Sequence, residues 1–331
     1  MRFVDVSEQV RETATPVPQP GEILIRVTAS GVNRADLSQI AGRYPPPPGE
    51  PDILGLEVSG TIAATGEPVC ALLAGGGHAE YVAAPVGQTF PAPACPDLVS
   101  AAGVPEAFIT AFVNLVIEAG LRSKGTVLVH AGASGVGLAA IQVAKFLGAR
   151  VAATTRTAAK LPALERAGAD LALQAPDENL VAAIEARWGT NAVDVVLDPV
   201  GAATLGADLA VLSPGGCIVF IAAMSGAQAE LDVRALMKKR ARIVGSTLRS
   251  RSRDEKAAIV ARFRQEILPG FAAGALGVIV DSVFPPERAA EAFQRMRENR
   301  NVGKIVIDWS PLLRAGPGGR LSPHPHPEQM P

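Results

Sequence analysis

Short apolar runs, interrupted by glycine and proline, characterise the first hundred residues of the chain. The segment Glu22–Val27 partly alternates between apolar and polar positions and follows the turn pair Pro20-Gly21. Similar runs occur at Val58–Ile62 and Ala79–Ala83. Many short strands separated by glycine and proline are typical of an antiparallel barrel or sandwich. We therefore predict such a domain over residues 1–107.

The pattern changes near residue 124, where apolar strands begin to alternate with segments of helical spacing. Thr126–His130 precedes a predicted helix over Val136–Leu147, and Gly148 is placed to end that helix. Strands that alternate with helices predict a parallel sheet with helices on both faces, here over residues 108–266. The later strands of this unit are predicted at Arg150–Thr154, Val193–Asp198, Cys217–Ile221 and Arg242–Gly245.

The end of the chain returns to the order strand, helix, strand. Val278–Asp281 and Lys304–Asp308 flank a predicted helix over Glu287–Glu298. We expect residues 267–309 to rejoin the N-terminal domain, which would make that domain discontinuous. Residues 310–331 have low complexity, and we expect a disordered tail there.

The composition indicates a soluble enzyme of two domains. The chain has 331 residues, a formal net charge of -1 and three scattered cysteines, Cys70, Cys95 and Cys217. The balanced charge argues against nucleic acid as a partner, and no apolar run is long enough to span a membrane. Since the cysteines form no Cys-x-x-Cys pair and the N-terminus has no apolar stretch of a signal peptide, we expect a cytoplasmic location.

The sharpest motif lies between a predicted strand and a predicted helix. It resembles the dinucleotide fingerprint G-x-G-x-x-G, with a serine at the second glycine. Small residues are needed here because a larger side chain would hold a pyrophosphate away from the free N–H groups of the helix N-terminus. We therefore expect a bound dinucleotide at the glycine loop Gly132, Ala133, Ser134, Gly135, Val136 and Gly137.

The residues after the next strand favour NADPH over NADH. NAD enzymes usually carry an acidic residue about 20 residues beyond the glycine motif. Here that strand ends in Thr154-Thr155-Arg156-Thr157, with Lys160 further on and no acid. Arg156, Thr157 and Lys160 are suited to a 2′-phosphate, for which one charge-assisted hydrogen bond contributes about 1.5–3 kcal/mol. The alternative is that Arg156 and Lys160 are ordinary solvated residues.

Several segments, spread in order over nearly the whole chain, match one known family. They are Gly31–Leu37, Tyr44 with its proline run, Ile53–Glu57, Gly75–Tyr81, Pro105–Phe112, the glycine loop, Leu248–Arg251 and Asn301–Val306. The chain resembles the zinc-free, zeta-crystallin-like quinone oxidoreductases of the medium-chain dehydrogenase/reductase superfamily, in particular the subgroup of the tumour-suppressor-inducible quinone reductase. The resemblance implies an α/β fold, in which a GroES-like β-barrel domain adjoins a doubly wound Rossmann domain with NADPH in the cleft.

Two of these segments indicate whether the chain binds a catalytic metal ion. Asn33 and Leu56 stand where the zinc alcohol dehydrogenases of the superfamily carry Cys and His ligands, and a catalytic zinc needs about three protein ligands. We therefore expect no metal. Without a Lewis acid a simple ketone is hard to reduce, whereas hydride addition to a quinone or an enone spreads the charge into a phenolate or enolate. This argument and the resemblance both indicate NADPH-dependent reduction of quinones or activated C=C bonds.

The resemblance also indicates residues of the site. Asn33 could donate to the substrate oxygen, Tyr44 could donate or relay a proton, and Thr110 lies in the helix expected beneath the nicotinamide. The alternatives are packing against the proline loop for Tyr44 and a hydroxyl bonded to its own helix for Thr110. Asp36 is expected to cap or position its loop, with a direct role as the alternative. Further cofactor contacts are expected at Val200, Gly201, Ala223, Met224, Asn301, Gly303 and Lys304, with a simple strand-start lysine as the alternative for Lys304.

Departures from the family keep other functions open. The N-terminal hairpin is shortened, a deletion follows Gly66, and Leu173–Ala175 lacks a tyrosine that relatives place beside the adenosine. A trimmed barrel permits a pathway-specific enoyl reductase, and a non-catalytic NADPH-binding protein is an alternative of a different class.

Two further expectations concern the surface. The resemblance implies a homodimer that forms through edge strands of the Rossmann sheet, with contacts at Cys217–Ile221 and Arg242–Gly245. The basic run of Arg249, Arg251 and Arg253 predicts a solvated loop, with closure over the cofactor as the weaker alternative.

Overall fold

The computed structural model describes residues 1–175 and 179–310. In chain order the strands are β1 (Arg2–Val4), β2 (Val10–Glu12), β3 (Glu22–Val32), β4 (Glu57–Ile62), β5 (Pro68–Leu72), β6 (Tyr81–Pro85), β7 (Thr89–Pro91), β8 (Thr126–Val129), β9 (Arg150–Thr155), β10 (Leu171–Gln174), β11 (Val193–Asp198), β12 (Leu212–Phe220), β13 (Arg242–Gly245), β14 (Val280–Phe284) and β15 (Lys304–Asp308). Of the expected tail over residues 310–331, all but Ser310 lies outside the described residues.

The helices follow the same numbering. They are α1 (Arg34–Ile40), α2 (Leu98–Ala101), α3 (Pro105–Phe112), α4 (Gly135–Phe146), α5 (Leu161–Arg166), α6 (Leu180–Trp188), α7 (Leu205–Val211), α8 (Val233–Lys239), α9 (Arg253–Glu266), α10 (Pro269–Ala272) and α11 (Ala289–Arg297). Short 3-10 helices lie at Val86–Gln88, Ala158–Lys160 and Pro286–Arg288, and a π-helical segment at Val113–Glu118 continues α3. In the described part of the chain, no helix combines the length and the apolar character that a membrane span requires.

Six parallel strands form the sheet of the second domain, in the order β10-β9-β8-β11-β12-β13. This is the order 3-2-1-4-5-6 of the dinucleotide-binding fold. The direction of winding reverses between β8 and β11, and ligands of such sheets bind beyond the carboxyl ends of the strands at that point. The predicted Rossmann fold is confirmed.

Alternating residues of the central strands explain why helices cover both faces of this sheet. Val127 and Val129 belong to the core that includes α3 and α4, whereas Leu128 packs in the opposite core with residues of α6 and α7. Every residue of β8 is buried, as in a strand that is covered on both sides.

The first domain contains a seven-stranded sheet in the order β14-β15-β3-β4-β5-β7, and β6 also pairs with β3. Because β15 pairs antiparallel with β3, the last described segment of the chain joins the N-terminal sheet. The domain limits at residues 107 and 267 stay a prediction. The strand expected at Val278–Asp281 begins later, at Val280, where pairing with Lys304 starts.

One expected dimer contact is wrong in its position. Cys217–Ile221 falls largely in β12, which lies inside the sheet because β11 pairs with it on one side and β13 on the other. Its backbone hydrogen-bonding groups therefore face other strands of the same chain. Among the strands that the structure describes, β13, over Arg242–Gly245, is the one at that edge of the sheet.

Candidate active site

The glycine loop connects β8 to α4 at the carboxyl edge of the Rossmann sheet. Ser134 caps the helix, since its Oγ accepts a hydrogen bond from the backbone N of Gly137 at 3.0 Å. A Cβ on Gly137 would lie 2.5 Å from the carbonyl oxygen of Ala131, and one on Gly135 would lie 2.5 Å from Cδ of Lys304. The loop therefore accepts no side chain at these two positions, which keeps the helix N-terminus open to close approach.

The loops after β11 and β12 lie against each other at the same edge. The Asp198 carboxylate accepts hydrogen bonds from the backbone N of Val200 at 2.5 Å and of Gly201 at 3.2 Å. Ser225 Oγ donates to the carbonyl of Val200 at 2.8 Å, and a Cβ on Gly201 would lie 3.2 Å from Cα of Ala223. Beside them Met224 is 43% exposed. The expected cofactor contacts on these two loops thus form one surface.

The segment before β15 closes this edge from the side of the first domain. The backbone N of Gly303 donates to the carbonyl of Ala133 in the glycine loop at 2.9 Å. Lys160 Nζ donates to the carbonyls of Asn299 at 2.6 Å and Asn301 at 2.8 Å. The structure thus brings the expected residues Lys160, Asn301 and Gly303 together with the glycine loop. Two of the three donors of the Lys160 ammonium group are used within the protein.

Several cations meet near the exposed Arg156 and Thr157. Burial lowers the pKa of Lys160, and the charges of Arg156 and Arg295 lower it further, although Asp281 opposes them. Burial and Arg156 also lower the pKa of Arg34. These cations therefore repel one another, and an anion bound among them would relieve that repulsion. Arg34 was not predicted, although it lies in the matched segment Gly31–Leu37.

Asn33 is fully hydrogen-bonded inside the protein. Its Nδ2 donates to Glu57 Oε1 at 2.9 Å and to the carbonyl of Gly31 at 3.1 Å, while its Oδ1 accepts from Lys304 Nζ at 2.8 Å. The expected donation from Asn33 to a substrate would require one of the two Nδ2 bonds to break.

Lys304 lies in the same cluster instead of at the protein surface. It is 4% exposed, and its ammonium group contacts the Glu57 carboxylate, Asn33 Oδ1 and the carbonyl of Val32. A contact from Lys304 to a phosphate stays a prediction and would require this group to leave Glu57. Glu57 itself was missed, although it stands in the matched segment Ile53–Glu57.

Asp36 positions the loop around Asn33. Its carboxylate accepts from the backbone N of Asn33 at 2.7 Å and of Gly55 at 3.0 Å. His78 Nε2 lies 3.4 Å from the same carboxylate, and His78 Nδ1 lies 2.8 Å from Ser30 Oγ. These contacts agree with the expected capping role of Asp36.

Arg249 is buried at the cleft, so the prediction of a solvated loop is wrong for this residue. It is 3% exposed, its Nε donates to the carbonyl of Ala74 at 2.7 Å, and its guanidinium donates to the carbonyl of Tyr44 at 2.9 Å and to Gln39 Oε1 at 2.8 Å. The guanidinium carbon lies 5.3 Å from the centre of the Tyr44 ring. These acceptors all belong to the first domain, and they explain why an arginine of the second domain is buried.

Two acidic residues, Glu57 and Glu106, meet at the start of α3, and the charge of Glu57 affects the protonation of Glu106. The backbone N of Glu106 donates to Glu57 Oε2 at 2.8 Å. Burial and the nearby charge of Glu57 raise the pKa of Glu106 to about 8, although Lys304 and Arg249 oppose the shift. Glu106 was not predicted as a site residue, although it stands in the matched segment Pro105–Phe112.

Thr110 follows one helical turn after Glu106 and is buried. Its hydroxyl makes no hydrogen bond to any residue that the structure describes, so the expected alternative of a bond to its own helix is wrong. Instead its carbonyl accepts from Asn114 Nδ2 at 2.7 Å. The hydroxyl of Thr110 thus keeps its hydrogen-bonding capacity for a ligand.

A buried histidine lies at the end of β8. His130 Nε2 is 2.7 Å from Asp208 Oδ1, and His130 Nδ1 is 2.9 Å from Thr154 Oγ1. Both ring nitrogens of His130 are thus engaged by side chains. Within residues 1–175 and 179–310, no group of three His, Cys, Asp or Glu side chains is arranged to hold a metal ion.

Two family models match the two parts of the chain. Residues 19–94 match the alcohol dehydrogenase GroES-like domain, and residues 135–264 match the zinc-binding dehydrogenase domain. The first of these matches confirms the GroES-like domain that the resemblance implied.

Known proteins are similar over nearly the whole chain. Human quinone oxidoreductase is 28% identical over 307 residues, which are 89% of this chain and 92% of that protein. A solved structure of the quinone oxidoreductase from Thermus thermophilus, described together with its NADPH complex, has a TM-score of 0.80 at 30% identity and covers 93% of this chain and 98% of its own. A polyketide synthase system protein for spectinabilin from Streptomyces orinoci is 34% identical over 314 residues, which are 91% of this chain and 14% of that protein.

Proposed function

Because the chain belongs to the quinone oxidoreductase branch of the medium-chain dehydrogenase/reductase superfamily, we propose that it reduces quinones or enones with NADPH as the reductant. Membership of this family makes the chain an oxidoreductase. What we propose is the identity of its acceptor and of its cofactor. The observation that carries the proposal is the contact of Lys304 with Gly135, which brings the polar cluster of the first domain against the glycine loop of the second.

The residues at the carboxyl edge fit a dinucleotide phosphate. The glycine loop and the N-terminus of α4 would hold the pyrophosphate, since a Cβ at Gly135 or Gly137 would collide with neighbouring atoms. Arg156, Thr157 and Lys160 would hold the 2′-phosphate, and the mutual repulsion of the cations there supports an anionic ligand. When bound, NADPH supplies a hydride. The loops of Val200, Gly201, Ala223, Met224, Asn301 and Gly303 would line the rest of the cofactor.

The polar cluster suits an acceptor whose charge is delocalised. Lys304 and Arg249 are two cationic groups whose charges act on Glu106, at the start of α3, against the negative charge of Glu57. Leu56, at a position where zinc enzymes of the superfamily carry a ligand, is buried and apolar. Cationic and neutral donors can stabilise an enolate or phenolate oxygen, which favours quinones and enones over simple ketones.

A second candidate acceptor is an α,β-unsaturated acyl group. The identity of 34% to a segment of a polyketide synthase system protein supports it.

We also propose a homodimer that forms through the edge strand β13, and a cytoplasmic location. Size-exclusion chromatography with light scattering tests the dimer.

An acceptor screen tests the proposed function. NADPH oxidation is followed with 1,2-naphthoquinone, 1,4-benzoquinone, a panel of enones, an α,β-unsaturated acyl thioester and a simple ketone. We expect turnover of quinones or enones and none of the ketone. Preference for the acyl thioester would favour the second candidate, and tight NADPH binding without oxidation by any acceptor would contradict a reductase.

A further inference from the structure

Charged groups from six parts of the chain converge on Glu106. Its backbone N donates to Oε2 of Glu57, the first residue of β4, at 2.8 Å, which places the start of α3 against the Asn33 cluster. The charged or titratable groups that act on it or respond to it are Glu57, Lys304, Asp36, Arg249, Tyr44 and Lys256. Among these groups, Glu106 is the carboxyl whose charge acts on Tyr44.

The other charged groups of the cluster are already satisfied by hydrogen bonds. Glu57 accepts from Asn33, Lys304 and the backbone of Glu106, and Asp36 accepts from two backbone N–H groups. By contrast, the carboxyl of Glu106 makes no hydrogen bond to the residues that the structure describes. Glu106 as a residue is partly exposed.

Glu106 holds its proton at neutral pH. Burial disfavours its charged form, and the negative charges of Glu57 and Asp36 disfavour it further, so that its pKa rises to about 8 against the opposing charges of Lys304 and Arg249. A carboxyl group with this pKa is an acid of suitable strength at physiological pH.

We propose that Glu106 is the proton donor of the reductase site and protonates the oxygen of the reduced acceptor. This inference rests on the proposed function. Hydride addition to a quinone or an enone, with a reduced nicotinamide as the source, leaves a negative charge on the acceptor oxygen. The O–H bond of the Glu106 carboxyl then breaks, an O–H bond forms on that oxygen, and the Glu106 carboxylate regains a proton from water.

Tyr44 is the competing donor. Burial and the charge of Glu106 raise the pKa of Tyr44 above its ordinary value of 10.0, although Arg249 opposes the shift. Glu106 is therefore the stronger acid of the two and supplies a proton to the acceptor more readily than Tyr44 does. In this arrangement Tyr44 orients the acceptor or passes on a proton that Glu106 gives up.

Substitution of Glu106 tests the proposal by kinetics. Glu106→Gln keeps the shape of the neutral side chain but cannot give up a proton, and we expect kcat with 1,2-naphthoquinone or a reactive enone to fall about 10²-fold or more. The wild-type rate should decline above a pH of about 8, where Glu106 loses its proton, and this decline and the solvent isotope effect should vanish in Glu106→Gln. Glu106→Asp should recover part of the rate. Glu118→Gln, the matched control, removes a carboxylate paired with Arg251 and should retain the wild-type pH profile.

A direct titration separates this inference from the proposed function. Infrared difference spectroscopy of the full chain with and without NADPH, compared between wild type and Glu106→Gln, reports the protonated carboxyl of Glu106 without any turnover. Titration of Glu106 at about 4, its ordinary range, overturns the proposal even if quinones are reduced. An unchanged pH profile and solvent isotope effect in Glu106→Gln also overturn it. If no acceptor is reduced, the proposed function fails, and a Glu106 protonated at neutral pH then supports a proton donor for a different reaction.

Discussion

Lys304 Nζ lies 2.8 Å from Asn33 Oδ1, which joins residues 271 positions apart in the chain. The same ammonium group contacts the buried carboxylate of Glu57, while the Lys304 stem fills the space beside Gly135 in the glycine loop. One side chain therefore joins the polar cluster of the first domain to the cofactor loop of the second. Its removal should affect both stability and the protonation of its neighbours.

Lys304→Met tests the role of this ion pair in stability. The variant leaves the Glu57 carboxylate buried without its cation, and we expect a loss of about 3–5 kcal/mol in the free energy of unfolding, measured by urea denaturation. The double variant Lys304→Met/Glu57→Gln should recover a large part of this loss because no unpaired charge remains. Equal stability of the single variant and wild type would show that Lys304 and Glu57 do not form a buried pair in solution.

Arg249→Met tests the link between the two domains. The variant keeps an apolar stem but removes the donors to Ala74, Tyr44 and Gln39, and each buried acceptor left without a partner costs about 1–3 kcal/mol. We expect a lower urea midpoint and a higher KM for the acceptor, since the Tyr44 loop loses its support. Arg253→Met is the control because its ion pairs with Glu22 and Glu50 are more exposed, and exposed pairs contribute about 0–1 kcal/mol. The same effect in both variants would contradict a specific role of Arg249.

The sequence pattern was sufficient for the parts of the fold that depend on local periodicity. Arg242–Gly245 and Lys304–Asp308 were predicted with the bounds that the structure shows, because both are apolar runs set off by polar residues. The glycine loop was also predictable, since its small residues are adjacent in the chain and its position between strand and helix is a local feature.

The contacts that define the site could not be predicted in this way. Arg249 stands in a basic run typical of a surface, and its acceptors lie in loops of the first domain that are distant in the chain. Glu57 and Glu106 are 49 residues apart in the chain. The residues that flank each of them in the sequence do not indicate that the two lie together in the fold. The protonation of Glu106 depends on charges brought together only by the fold, so no local pattern could have indicated it.

Glu106→Gln should also change the pH dependence of protein stability. The ordinary pKa of a glutamate side chain is 4.5, whereas the pKa of Glu106 in the folded protein is about 8. Between these two pH values the folded protein therefore holds more protons than the unfolded chain. The contribution of Glu106 to stability is thus fully present below a pH of about 4.5 and is lost as the pH rises towards about 8. Melting temperatures of wild type and Glu106→Gln should be similar at about pH 5, and the variant should become the more stable one near about pH 9. A difference that does not change with pH would contradict the raised pKa.

Arg156→Ala tests the proposed selectivity for NADPH. Arg156 is exposed and adds its charge to that of Lys160 and Arg34, so its removal should weaken binding of a 2′-phosphate while leaving the rest of the cofactor site intact. We expect kcat/KM for NADPH to fall about ten- to a hundredfold, which corresponds to the loss of one charge-assisted hydrogen bond, and kcat/KM for NADH to stay unchanged. Arg166→Ala, a substitution of an exposed arginine at the end of α5, should leave both values unchanged. An equal fall for both cofactors would mean that Arg156 supports the fold of the loop, and equal values for NADPH and NADH in wild type would refute the preference itself.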